Sequence, residues 1–233
     1  MSLLTLIQSS CRLLALPVPD VVVSSRDTQV QQLYELANEE GEELAGSYDW
    51  QVLRQQHTFT TIASAVQSSA VPGDWDRFIA NSFFNRSTQR SVLGPITPQQ
   101  WQSIQAQPQL NRVFLAFIRR QGQFLITPTP AGGETIAYEY VSKNWVYDVA
   151  GTPKSLYTRD DDESYLDERL MRLGIRWRFL KSKGLEYSED YRTYELQKNE
   201  KQARDGGNTE LSTTGSDGFI LSPNIPEGGF PGP

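Results

Sequence analysis

Apolar residues recur at helical spacing near both ends of the chain and at strand spacing between them. Leu3, Leu4, Ile7, Cys11 and Leu14 fall on one helix face, with Ser2 as N-cap and Pro17 and Pro19 as the stop. Val30, Leu33, Tyr34, Ala37 and Leu44 form a second stripe, capped by Asp27. Glu35, Glu39, Glu40, Glu42 and Glu43 crowd the opposite side. Carboxylates late in a helix oppose its dipole, so the crowding reads either as a solvated face or as a face directed at a basic partner or a DNA channel.

Near Gln55 the texture changes. Residues 57–62 are rich in β-branched and aromatic side chains, Val71-Pro72-Gly73-Asp74 reads as a turn, and Thr97-Pro98 opens a short helix. Residues 113–119 and 124–127 read as strands joined at Gln121-Gly122. Residues 135–141 follow a turn at Ala131-Gly132-Gly133, which predicts a three-stranded meander. Helical spacing returns after Asp160-Asp161-Asp162-Glu163, an acidic run that suits a helix start. Leu166, Leu170, Leu173, Trp177 and Leu180 make its stripe, Glu168 sits one turn before Arg172, and Gly184 stops it. Ser188 opens a last helix with Tyr187, Tyr191 and Tyr194 on one side, and Gly206 closes it. The predicted class is α+β: a helical core (1–54 and 151–203), a β-rich antiparallel insertion (55–150) and an extended C-terminal arm (204–233).

The arm is dominated by Gly, Pro, Ser and Thr, a composition that buries too little to offset its conformational entropy. Yet it carries Phe219, Ile220, Leu221, Ile225 and Phe230, which a plain linker has no use for. Two readings stand: an arm that becomes ordered on a partner, or a frayed terminus.

Composition narrows the classes. A net charge of −6 over 233 residues argues against a protein that coats nucleic acid, while DNA as a passing neighbour is compatible with an acidic lining. No apolar run approaches a membrane span. Residues 3–16 lack the basic start of an export signal and carry Arg12 in their middle, and a single cysteine, Cys11, permits no intrachain disulfide, so synthesis in a reducing cytoplasm is expected.

Candidate chemistry is sparse. His57 stands alone in a strand pattern, and Cys11 lies on an apolar face. Asp74-Trp75-Asp76 places an aromatic between two carboxylates, as a glycosidase site would, but follows a Pro-Gly turn where Asp is a good turn former. Asp160 to Glu163 lacks the alternate ligand spacing of a calcium loop, and no glycine-rich phosphate loop is present. No catalytic residue, metal site or cofactor is expected. Trp75, Trp101 and Trp145 leave a carbohydrate-binding module as another reading.

Several stretches read together resemble the head-to-tail adaptor proteins of tailed bacteriophages, especially short-tailed ones. They are residues 3–8, 32–41, Tyr48-Asp49-Trp50, 58–61, 74–78, 94–101 and 138–145, packing and turn signatures spread over residues 1–200. The resemblance implies a structural protein of the virion neck, made in the host cytoplasm and anchored to no membrane. It implies a homo-oligomeric ring, on the order of a dozen copies, beneath the portal protein. Its helices would brace the DNA channel, its insertion would meet a tail nozzle or tail tube protein, and its arm would dock on the portal. Phe219, Ile220, Leu221, Ile225 and Phe230 match the docking segment by position, and Glu39, Glu40, Glu42 and Glu43 are the candidates for the channel face. A stopper or tail terminator would share this composition.

Overall fold

The computed structural model describes residues 1–106 and 115–206. The chain begins with helices α1 (Leu3–Leu13) and α2 (Thr28–Ser47), then a 3-10 turn (Gln51–Leu53). Strands β1 (Arg54–Thr60), β2 (Trp75–Phe78), β3 (Phe84–Asn85) and β4 (Arg90–Ser91) precede helix α3 (Pro98–Ala106). Next come β5 (Ala116–Arg120), β6 (Gln123–Thr127), β7 (Thr135–Ser142), β8 (Val146–Tyr147), β9 (Pro153–Lys154) and β10 (Glu163–Ser164). Helices α4 (Glu168–Ser182) and α5 (Ser188–Asp205) finish the described chain. The expected strand start at residues 113–114 and the arm anchors Phe219, Ile220, Leu221, Ile225 and Phe230 lie outside the described residues.

The helix starts are chemically local. Ser2 Oγ accepts from the Thr5 amide, Asp27 Oδ1 from Gln29, and Thr97 and Gln100 exchange hydrogen bonds in a capping box. Asp167 accepts from both Arg169 and Leu170 at the start of α4. The acidic run at 160–163 therefore does not start that helix. Asp160 instead accepts from the Val22 and Val23 amides, and buried Asp162 from Lys154 Nζ, Thr158 and the Arg159 amide, so the run fixes the loop on which α1 rests. Burial opposes ionisation of Asp162, but these donors hold its carboxyl below the usual range.

Helix α4 packs against α1, α2 and α5. It consequently buries Met171, Ile175 and Phe179 as well as Leu170 and Trp177, a wider band than the expected stripe, while Leu173 and Leu180 are only half-buried. Arg172 turns to Ser9 Oγ on α1 (3.3 Å). Two glycines permit the closest approaches. A Cβ at Gly41 on α2 would overlap the Trp145 ring, and one at Gly174 on α4 would overlap the Glu40 carboxyl.

The expected meander does not form. Strands β5 and β6 pair with each other across Gln121-Gly122, whose φ of 50° and 78° suit a type I′ turn, and make a separate ribbon. Strand β7 leaves them for the centre of a five-stranded sheet, with β1 along one edge and β2 and β3 sharing the other. The reason is burial. Ile136, Ala137, Tyr138, Tyr140 and Val141 are all hidden, so both faces of β7 need cover, whereas a meander's last strand would have an open edge. Pro128 and Pro130, which have no N–H, interrupt the ladder after β6.

Two hydrophobic cores meet at the end of β7. One joins the four long helices with Trp50, Val141, Trp145, Val146 and Tyr157. The other is aromatic, with Phe59, Phe83, Phe117, Phe124, Tyr138 and Tyr140 at its heart. Within it Phe83 lies 4.2 Å from Phe117 and 4.3 Å from Tyr138, centroid to centroid. Adjacent side chains of one strand, Tyr140 and Val141, thus belong to different cores.

Candidate assembly surfaces

Three of the four clustered glutamates on α2 converge on one cation. Arg178, on α4 and 7% exposed, donates to Glu40 Oε2 (2.7 Å), Glu39 Oε1 (2.9 Å) and Glu43 Oε2. Glu40 is shut off from solvent, whereas Glu39 and Glu43 are more than half exposed. Burial pushes the Glu40 carboxyl up to about 7 in spite of Arg178. Arg178 divides its charge among three acids, and among the described residues no hydrogen bond reaches the buried Glu40 Oε1. Tyr194 on α5 lies beside it, and burial together with the Glu40 charge pushes that phenol up. Gly174 creates the space for this arrangement. As a surface toward anything outside the chain, the cluster reduces to Glu39, Glu42 and Glu43.

A second arginine joins the two cores. Arg77 on β2 donates from Nη2 to the Ala45 (3.1 Å) and Tyr48 (2.5 Å) carbonyls at the end of α2, and from Nε to Asp49 Oδ1 (2.5 Å). A helix of 20 residues with no basic residue in its last turn thereby receives a cation from the sheet. Arg77 and Arg178 were not singled out from sequence. The available signal for Arg178 was a basic residue directly beside the Trp177 stripe.

A third feature lies where α5 ends. Leu44, Trp50, Val52, Leu166 and Leu170 line a groove of about 380 Å³ with Lys201 and Arg204 on its margin. Polar straps hold α5 here: Lys201 Nζ to Asp167 (2.6 Å), and Asp205 Oδ2 accepting from the Gln51 amide (2.9 Å). Further back, Tyr187, Tyr191 and Tyr194 all pack against Trp177.

The remaining candidates sit in ordinary packing. His57 Nε2 is 3.0 Å from the Ser69 carbonyl oxygen, and its ring lies against Phe59 and Tyr138. Cys11 is buried, and burial raises its thiol. Asp74 accepts from Tyr140 (3.0 Å) and Ser142 (2.7 Å), while Asp76 pairs with Arg77, so each carboxylate is committed to a different partner. Tyr140 is pushed up to about 12 by burial and by Asp74. Trp101 and Trp145 are buried, and Trp75 carries Arg119 over its ring at 3.6 Å. Among the described residues no helix is long and apolar enough to cross a membrane.

No curated protein matches the chain. The family model described as SU10 adaptor protein matches residues 1–222, a span that takes in both cores, and the chain therefore belongs to this family of phage head-to-tail adaptors.

Proposed function

We propose that this chain forms a ring between the portal and the tail, where it seals the neck and conducts DNA. The family match over residues 1–222 carries the reading. Two hydrophobic cores joined at one strand supply the means for a division of labour. The helical core would sit at the portal, and the aromatic, β-rich part would meet a tail nozzle or tube. Phe219, Ile220, Leu221, Ile225 and Phe230 would grip the portal, with weak contacts made durable by many arms acting together. Glu39, Glu42 and Glu43 would give passing DNA a surface that does not bind phosphate. The protein performs no chemistry in this reading.

Electron microscopy of the purified chain mixed with its portal is the direct test. A ring of this chain on the tail-facing side of the portal is expected. A chain ending at Gly206, which keeps the Asp205–Gln51 strap, should fold and lose stable binding. No ring with the full chain would sink the proposal, and undiminished binding by the shortened chain would remove the arm from it.

A further inference from the structure

The groove at the end of α5 has a floor better suited to apolar contact than to water. Leu44, Trp50, Leu166 and Leu170 are buried, yet beside them Val52 is 50% and Tyr165 is 37% exposed. The last turns of α5 span this floor on polar straps and contribute no apolar side chain to it; Leu196 on the same helix is 60% exposed. At about 380 Å³ the groove lies in the range of clefts that enclose small ligands or a few side chains.

We infer that Phe219-Ile220-Leu221 of the same chain docks in this groove in the free subunit. The described chain ends at Gly206, directly after the lining residues Arg204 and Asp205. Twelve residues separate Gly206 from Phe219, a tether that can span up to about 40 Å and so reaches the groove with slack. Closing such a loop has a modest entropic cost, and a tether this short holds its segment at an effective concentration in the millimolar range. That favours the chain's own segment over a second copy at micromolar protein. Charge agrees. Residues 207–233 contain Glu210, Asp217 and Glu227 and no basic residue, and Asp217 lies two positions before Phe219. On the groove margin Lys201 and Arg204 are basic; Arg204 pairs with Glu200 but its side chain remains 71% exposed, with donors to spare.

The consequence is that an adaptor subunit carries its own cover for three large apolar side chains of its C-terminal segment. Engagement of these anchors by any partner becomes an exchange of one apolar surface for another. The inference concerns the isolated chain and does not rest on the portal reading, so failure of either leaves the other standing.

Hydrogen exchange on the full chain at micromolar concentration tests it, with a synthetic peptide of residues 207–233 as reference. Amides of 219–221 are expected to exchange at least about 10-fold more slowly in the chain than in the peptide. Val52→Asp places a charge at the exposed edge of the groove and should return them to the peptide's rate. Phe219→Ser should do the same without changing any residue of the helices, so it decides the matter if V52D disturbs the core. Peptide-like exchange in the unmodified chain would overturn the inference. So would protection that survives F219S, or protection that grows with protein concentration, which would assign the groove to a second copy.

Discussion

Arg178 faces three carboxylates, and its loss would leave Glu40 buried without a counter-ion. Breaking a buried pair from one side costs about 3–5 kcal/mol, so Arg178→Met should lose about that much unfolding free energy in urea at pH 8. At pH 5 the loss should shrink, because Glu40 can take up a proton instead. The unmodified chain should show the same chemistry in milder form. Glu40 is raised from 4.5 to about 7 in the folded state, so between those values the folded chain binds more protons than the unfolded one. Its contribution to stability is then full below about 4.5 and falls as pH rises to about 7. Glu40→Gln deletes this titration, so the urea midpoint of E40Q relative to the unmodified chain should climb with pH across the window. A flat difference would mean that Glu40 stays ionised throughout.

Within one element, two glycines of α2 should respond with opposite signs. Replacing a helical glycine by alanine gains up to about 1 kcal/mol of helix propensity where space allows. At Gly46 a Cβ would meet nothing within 4 Å, so Gly46→Ala should stabilise by about 0.5–1 kcal/mol. At Gly41 the Cβ would overlap the Trp145 ring, and overpacking a core costs about 1–3 kcal/mol. Gly41→Ala should therefore melt lower than the unmodified chain while G46A melts higher. Equal shifts in thermal melts would show that Trp145 does not fill the notch. The caps at Ser2, Asp27 and Thr97 were readable because each depends on residues two or three positions away. The breadth of α4 was not, since three different helices bury it.

At the scale of the molecule, the seam at Tyr140 and Val141 defines where the β-rich part can be cut. Arg54 is the register partner of Val141, and partners across an antiparallel ladder sit about 5 Å apart. A two-residue Asn-Gly turn can bridge that distance. Replacing residues 55–140 by such a turn should leave a helical core that unfolds cooperatively, read by circular dichroism. Under the proposed function it should still bind portal and no longer recruit the tail. A cut extended to residue 149 would also remove Trp145 and Val146 from the helical core and should fail to fold. If the shorter cut fails as well, the aromatic core supports the helices and is no separable part.

Local order, charge and class were legible without coordinates. Helical and strand periodicity, the caps, the Gln121-Gly122 turn and the α+β class all follow from side chains near one another along the chain, where physical preference acts over a few residues. The partners of β7, the contact of Asp160 with the Val22 amide and the meeting of Arg178 with Glu40 join positions tens of residues or more apart. Those were decided by the tertiary structure. Burial on both faces set the place of β7, and low polarity around Glu40 turned one acid of an evenly charged row into part of the core.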